Sequence, residues 1–178
     1  ALLLTPLLAH PQPRVLEDAW SDRDFVERFT GTFLPLTEQE PKISEDEAEL
    51  FQELATVLEA NDYAQAITRL ERRIANAPAE EPVSAALDYT LANLYLQQGR
   101  FADAAQRYEV AIDKHDTFRR AYKNLGLARI QNREFGPAIQ ALVKAVELGD
   151  GGGDTFGLLA YSYLNEDNPV AALEGYRQ

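Results

Sequence analysis

Apolar side chains recur at spacings of three and four through most of the chain beyond residue 45, the period of a helix with one dry face. Leu87, Leu91, Leu94 and Tyr95 predict one such helix. Gln98-Gly99 breaks it, as glycine does just past a helix C-terminus. Ala104, Ala105, Tyr108, Ala111 and Ile112 then restart the same period, so the segment reads as a helical hairpin. The hairpin recurs. Residues 85–118, 119–152 and 153–178 align without internal gaps, and Leu91, Leu125 and Leu159 stand 34 apart. Ala92, Gly126 and Ala160 follow those leucines. Ala104, Ala138 and Ala172 keep the same step, as do Tyr108, Leu142 and Tyr176.

A weaker copy spans residues 47–80, carried by Asn61, Asp62, Tyr63, Ala66, Leu70, Ile74 and Pro78. Four extra residues, Glu81 to Ser84, separate it from the next unit, and Pro82 makes them a loop. The small residues have a packing reason. Ala92, Gly126 and Ala160 sit where the first helix of a hairpin meets the second, with Ala104, Ala138 and Ala172 facing them. Small side chains there let helix axes approach to about 8–9 Å. Tyr95, Phe101, Phe135 and Tyr163 fill the spaces between. The expected fold is all-α: a right-handed α-solenoid of stacked helical hairpins with an N-terminal capping segment. The last unit stops at Gln178 in mid-helix, so the natural protein is expected to continue beyond it.

Upstream of the repeats, residues 15–33 carry Leu16, Trp20, Phe25, Val26 and Phe29. Ser21 to Asp24 reads as a cap opening a short helix over residues 22–30, and Gly31 ends it. An acidic connector with Pro35 and Pro41 follows. Ser44 is then the N-cap of the next helix, with Glu47 at its third position completing a capping box. The expected organisation is therefore a start over 1–14, a capping segment over 15–44 and a repeat array over 45–178. Trp20, the only tryptophan, reads as an anchor covering the end of the stack or as a plug for a partner. The start, ALLLTPLLA and a proline-rich stretch, is too short to span a membrane. Three readings stand: the remnant of a signal peptide, a truncated membrane anchor, or a docking segment of the mature protein. The first two place the rest of the chain outside the cytoplasm. Ala1 at the start and the absence of methionine suit a processed or truncated beginning.

With leucine then a small residue in the first helix, Gly99 at the turn, Phe101, and Ala104 with Tyr108 in the second helix, residues 47–178 resemble the tetratricopeptide repeat family. Departures are visible: Asp116 and Asp150 stand where the family often has proline, Arg133 replaces the turn glycine, and Pro169 takes the turn aromatic position. The resemblance implies that the first helices line a concave, peptide-binding groove. Carried over residue by residue, it makes Tyr89, Asn93, Leu96, Lys123, Asn124, Leu127, Leu158 and Tyr161 the groove candidates. Asn93 and Asn124 would bond the backbone of an extended peptide, or else bond locally. They also match two positions of the clamp that grips acidic peptide C-termini. Tyr89, Asp154 and Leu158 stand where that clamp needs cations, so binding of that type is disfavoured.

The segments WSDRDFVERF, EPKISEDEAELFQEL and AYKNLGLARIQ, and the run from FGPAIQALVKAVELGDGG onward, are also similar to periplasmic tetratricopeptide proteins of Gram-negative bacteria. Those proteins are encoded beside ExbB, ExbD and TonB-type energy-transduction components. The resemblance implies a periplasmic accessory to that inner-membrane machine, working in transport. Two rival expectations are an envelope assembly factor that docks through its apolar start, and a regulatory domain of a larger enzyme.

Charge narrows the partners. The formal net charge is −12, with net −10 in residues 1–84 and −2 in residues 85–178. Such a chain repels nucleic acid and anionic membrane surfaces, so membrane contact is expected only through partners or the N-terminal segment. With no cysteine and only His10 and His115, disulfides, thiol catalysis and histidine-rich metal sites are excluded within this chain. No catalytic, nucleotide-binding or metalloprotease motif is present, so neither an enzyme, a cofactor, a metal nor a small-molecule substrate is expected. The run from Gly149 to Asp154 reads as a helix-ending loop, because it lacks the distal glutamate of a calcium loop. Glu45, Asp46, Glu47 and Glu49 suit the dipole at a helix start, or else form a docking patch for a basic partner segment. Arg119, Arg120, Lys123, Arg129 and Arg133 form the one basic cluster expected, either a solvated face or a contact for an acidic segment of a protein partner.

Overall fold

The computed structural model describes residues 40–78 and 82–166. These form helices α1 (Glu45–Glu59), α2 (Tyr63–Ala75), α3 (Ala85–Gln97), α4 (Phe101–Lys114), α5 (Arg119–Gln131), α6 (Phe135–Glu147) and α7 (Gly153–Asn165), and there is no strand among the described residues. Residues 1–14, the helix expected at 22–30, Trp20, and the expected second helix of the last unit, with Pro169, Ala172 and Tyr176, lie outside the described residues.

Each helix packs on the next, α3 against α4 and α5 against α6 most closely, and α4 and α6 link successive hairpins. The result is an all-helical solenoid. The turn chemistry repeats with the hairpins. Asn61, Gly99 and Arg133 take φ values of +58°, +70° and +62° at the three hairpin turns, and Gly149 takes +94° after α6. At each, the helix ends in the same paired bonds. Gly99 N–H donates to Leu96 O (3.1 Å) and Arg100 N–H to Tyr95 O (2.9 Å); Arg133 N–H donates to Ile130 O (3.0 Å) and Glu134 N–H to Arg129 O (2.8 Å). This left-handed closure satisfies carbonyls that a helix C-terminus leaves orphaned. Arg133 keeps that geometry although its side chain makes it costly.

The small-residue positions are where the helices touch. Ala92, Ala104, Ala138 and Ala160 are wholly buried. A Cβ at Gly126 would lie 2.5 Å from Leu142 Cγ and 2.7 Å from its Cδ2, so only glycine fits beneath that fully buried leucine. Leu54, Leu70, Leu87, Leu91, Leu94, Tyr108 and Phe118 run a continuous core from α1 to α5. Ile130, Ala138, Leu142 and Leu159 form a second cluster of buried residues between α5, α6 and α7.

Helix α3 lies at the centre and buries twelve of its thirteen residues. A helix dry on every side belongs inside a layered stack, and alternation of apolar and polar residues is correspondingly faint in it. Its start is tied to α1. Ser44 and Glu47 form the expected capping box, with Glu47 N–H on Ser44 Oγ (3.2 Å) and Ser44 N–H on Glu47 Oε2 (3.0 Å). The other carboxylate oxygen, Glu47 Oε1, accepts from Ser84 N–H at 2.7 Å. One buried glutamate thus serves the starts of two helices.

Candidate functional site

The first helices of successive hairpins approach one another, α3 with α5 and α5 with α7, and so lie on the inside of the curve. The residues expected to line the groove divide by depth. Tyr89, Asn93 and Leu96 on α3 are buried. Lys123, Asn124 and Leu127 on α5 and Leu158 on α7 are half-buried, and Tyr161 is 44% exposed. An aromatic, a polar and an aliphatic side chain that the repeat pattern offers to a guest are therefore taken into the core of α3.

The polar ones bond to each other. Tyr108 O–H donates to Asn93 Oδ1 at 2.6 Å, and Asn124 Nδ2 donates to Asn93 Oδ1 (2.9 Å) and to Tyr89 Oη (3.0 Å). Of the two readings for Asn93 and Asn124, local bonding describes this network. Burial pushes both the Tyr89 and Tyr108 phenols up, so each stays protonated at neutral pH. The Tyr89 ring packs 4.7 Å from Phe118 and 5.8 Å from Tyr108. Asn93 Nδ2 is buried without a hydrogen-bond partner. An orphaned amide at this depth is a directional donor beneath the inner face.

Arg120 lies above this network. Its guanidinium sits 5.6 Å from the Tyr89 ring centroid and 6.0 Å from that of Phe118. Its Nη2 donates to Glu40 Oε2 at 2.5 Å, across 80 residues of sequence, and the Glu40 side chain is only 16% exposed. The chain's own carboxylate is therefore held at the inner face. Neither periodicity nor motif points to Glu40.

The basic residues expected as one cluster are dispersed by separate partners. Arg119 Nη1 reaches Gly149 O (3.3 Å), and Lys123 pairs with Asp154 on α7. Arg129 points away, to Glu109 on α4 and Pro137 O at the start of α6. Partial burial raises the Asp154 carboxyl, but the bond and charge of Lys123 outweigh it, and the net shift is downward. Asp154 stands where a clamp would need a cation, and here it neutralises one. A second set of arginines, Arg69, Arg72 and Arg73 on α2, escaped the sequence reading.

Another residue missed in the sequence is Asp88, wholly buried on α3. It accepts from Lys114 Nζ (2.5 Å) and Arg107 Nη1 (3.2 Å) on α4, and Lys114 also reaches Val83 O (3.0 Å). The run at 149–154 closes locally: Asp150 Oδ1 accepts from Gly152 N–H (3.2 Å) and Thr155 Oγ1 (2.9 Å). Among the described residues no three carboxylates or imidazoles are grouped to hold a metal ion, and no helix is long and apolar enough to cross a membrane.

A family model described as tetratricopeptide repeat matches residues 56–116 and 89–153. The peroxisomal targeting signal receptor of Yarrowia lipolytica is 35% identical over 74 residues, which are 42% of this chain and 12% of the receptor, so the chain matches only a small part of that relative. The solved structure of MamA is similar with a TM-score of 0.64 at 20% identity, over 72% of each chain. A MamA structure from Desulfovibrio magneticus gives 0.63 at 22% identity, over 72% of this chain and 70% of that one. At these identities the likeness is one of fold.

Proposed function

Because the chain belongs to the tetratricopeptide repeat family, whose members are protein-interaction scaffolds, we propose that its inner face captures an extended, acidic segment of a protein partner without catalysing a reaction. The observation that carries this reading is the seat beside Tyr89. There Arg120 holds the chain's own Glu40 carboxylate over two aromatic rings, the place a partner's carboxylate would take by displacing it, with the Asn93 amide unpartnered in the network below. Guanidinium bonding gives a partner's carboxylate both charge and geometry, and aromatic neighbours add area that costs little entropy to order. Tyr161 and Leu158 extend the face along α7 with apolar surface.

We further propose a periplasmic location and a partner among TonB-, ExbB- or ExbD-like inner-membrane components, to whose transport work the chain would be accessory. The apolar, proline-punctuated start and the similarity of the segments quoted above support this placement. Crosslinking in native envelopes followed by mass spectrometry tests both statements, using the natural full-length protein and its Arg120→Glu variant. Crosslinks from α5 and α7 to such a component, reduced about tenfold by the substitution at unchanged helicity, are the expected result. Equal capture by the variant would remove the inner face from the reading. Crosslinks to cytoplasmic proteins alone would remove the location.

A further inference from the structure

The described residues hold a second basic surface, remote in sequence from the inner face. Helix α2 places Arg69, Arg72, Arg73 and Asn76 at intervals of three and four, along one wall of an open cleft of about 460 Å³. Leu50 and Glu53 of α1 form the other wall. The three arginines do different things. Arg69 is fixed, with Nη1 on Glu53 Oε2 and Nη2 on Gln65 Oε1, both at 3.0 Å. Arg72 and Arg73 make no ion pair with any described residue. Their place in the last turn of α2 suits the helix dipole, which accounts for the sign of the charge. The dipole does not account for a hollow that three arginines line against one glutamate, in the half of the chain whose net charge is −10.

We propose that this cleft docks an acidic segment of a protein partner, at a site separate from the inner face. Arg72 and Arg73 supply the planar, forked donors that match carboxylates, while Arg69 beside them is paired with Glu53 and Gln65. Leu50, half-buried in the opposite wall, gives an apolar side chain of the guest somewhere to rest. The occupant is thus a segment with paired acidic residues next to an aliphatic one. A membrane surface is a poor alternative, because the acidic remainder of the molecule would face the same lipids.

The test uses a fluorescent dodecapeptide alternating glutamate pairs with leucine, its glutamine counterpart, and inorganic phosphate as competitor. Fluorescence anisotropy should show binding that weakens as salt rises. Affinity should fall at least tenfold with Arg72→Glu/Arg73→Glu and with the glutamine peptide. All titrations are made in the Arg120→Glu background, which removes the inner-face seat, so that the loss with the Arg72/Arg73 double substitution reports this cleft alone. Undiminished binding by the double variant overturns the proposal, as does equal affinity for the glutamine peptide or displacement by phosphate at millimolar concentration. If the charge reversals reduce helicity, Arg72→Gln/Arg73→Gln reads the same question with the side-chain stems kept.

Discussion

Asp88 shows how a single side chain can hold a helix pair together while leaving no mark in the sequence. Its carboxylate has no exposure and is met by Lys114 and Arg107, which are themselves only about a third exposed. Removing one member of a buried ion set leaves the others poorly compensated. Asp88→Asn should therefore lower the free energy of unfolding by about 3 kcal/mol, read from urea denaturation. A loss within about 0.5 kcal/mol would mean that the two cations find water instead. The partners lie 19 and 26 residues away, so local spacing could not pair them. The asparagines were legible as positions and not as bonds. The family pattern placed Asn93 and Asn124 in the first helices, but their bond to each other depends on how closely α3 and α5 approach.

At the scale of the helix, most of the architecture could be read in advance. The three-and-four spacing of apolar residues located the helices, and Gly99 marked a turn because glycine takes positive φ without cost. Arg133 was marked as a turn only by its place in the repeat, 34 residues after Gly99, since nothing in an arginine itself announces a left-handed residue. The turn is imposed there by the hairpin closing around it. Arg133→Gly should accordingly stabilise the protein by about 1 kcal/mol, relief of backbone strain exceeding the flexibility gained by the unfolded chain. The opposite sign is expected at Gly126, where a methyl group meets Leu142. Gly126→Ala should cost about 1–2 kcal/mol despite alanine's better helix propensity, because that leucine is enclosed. Thermal unfolding of the two variants side by side checks both. A stabilised Gly126→Ala would show that Leu142 yields freely.

The period of 34 residues gave the stack itself, because units of one length that each bury a face against the next can only pile up. It did not give the ties that cross the stack outside the period. Glu40 to Arg120 is one, and Glu47 to Ser84 is another. Both involve residues before or between the regular units, where no repeat constrains the register. Glu47→Ala would strip two backbone N–H groups of their acceptor and should cost about 2 kcal/mol. Hydrogen exchange should then quicken in α1 and α2 while α5 and α6 keep their protection, since a solenoid loosens unit by unit. Uniform quickening across all helices would show that the array unfolds as one body. The central helix α3, with twelve of its thirteen residues enclosed, has a consequence on another timescale. A surface that evolves to suit a new visitor must change where visitors can reach. Inheritance would then rewrite the positions of α5 and α7 that lie outside the core, while the stretch between Ala85 and Leu96 drifts only among shapes that its neighbours already accept.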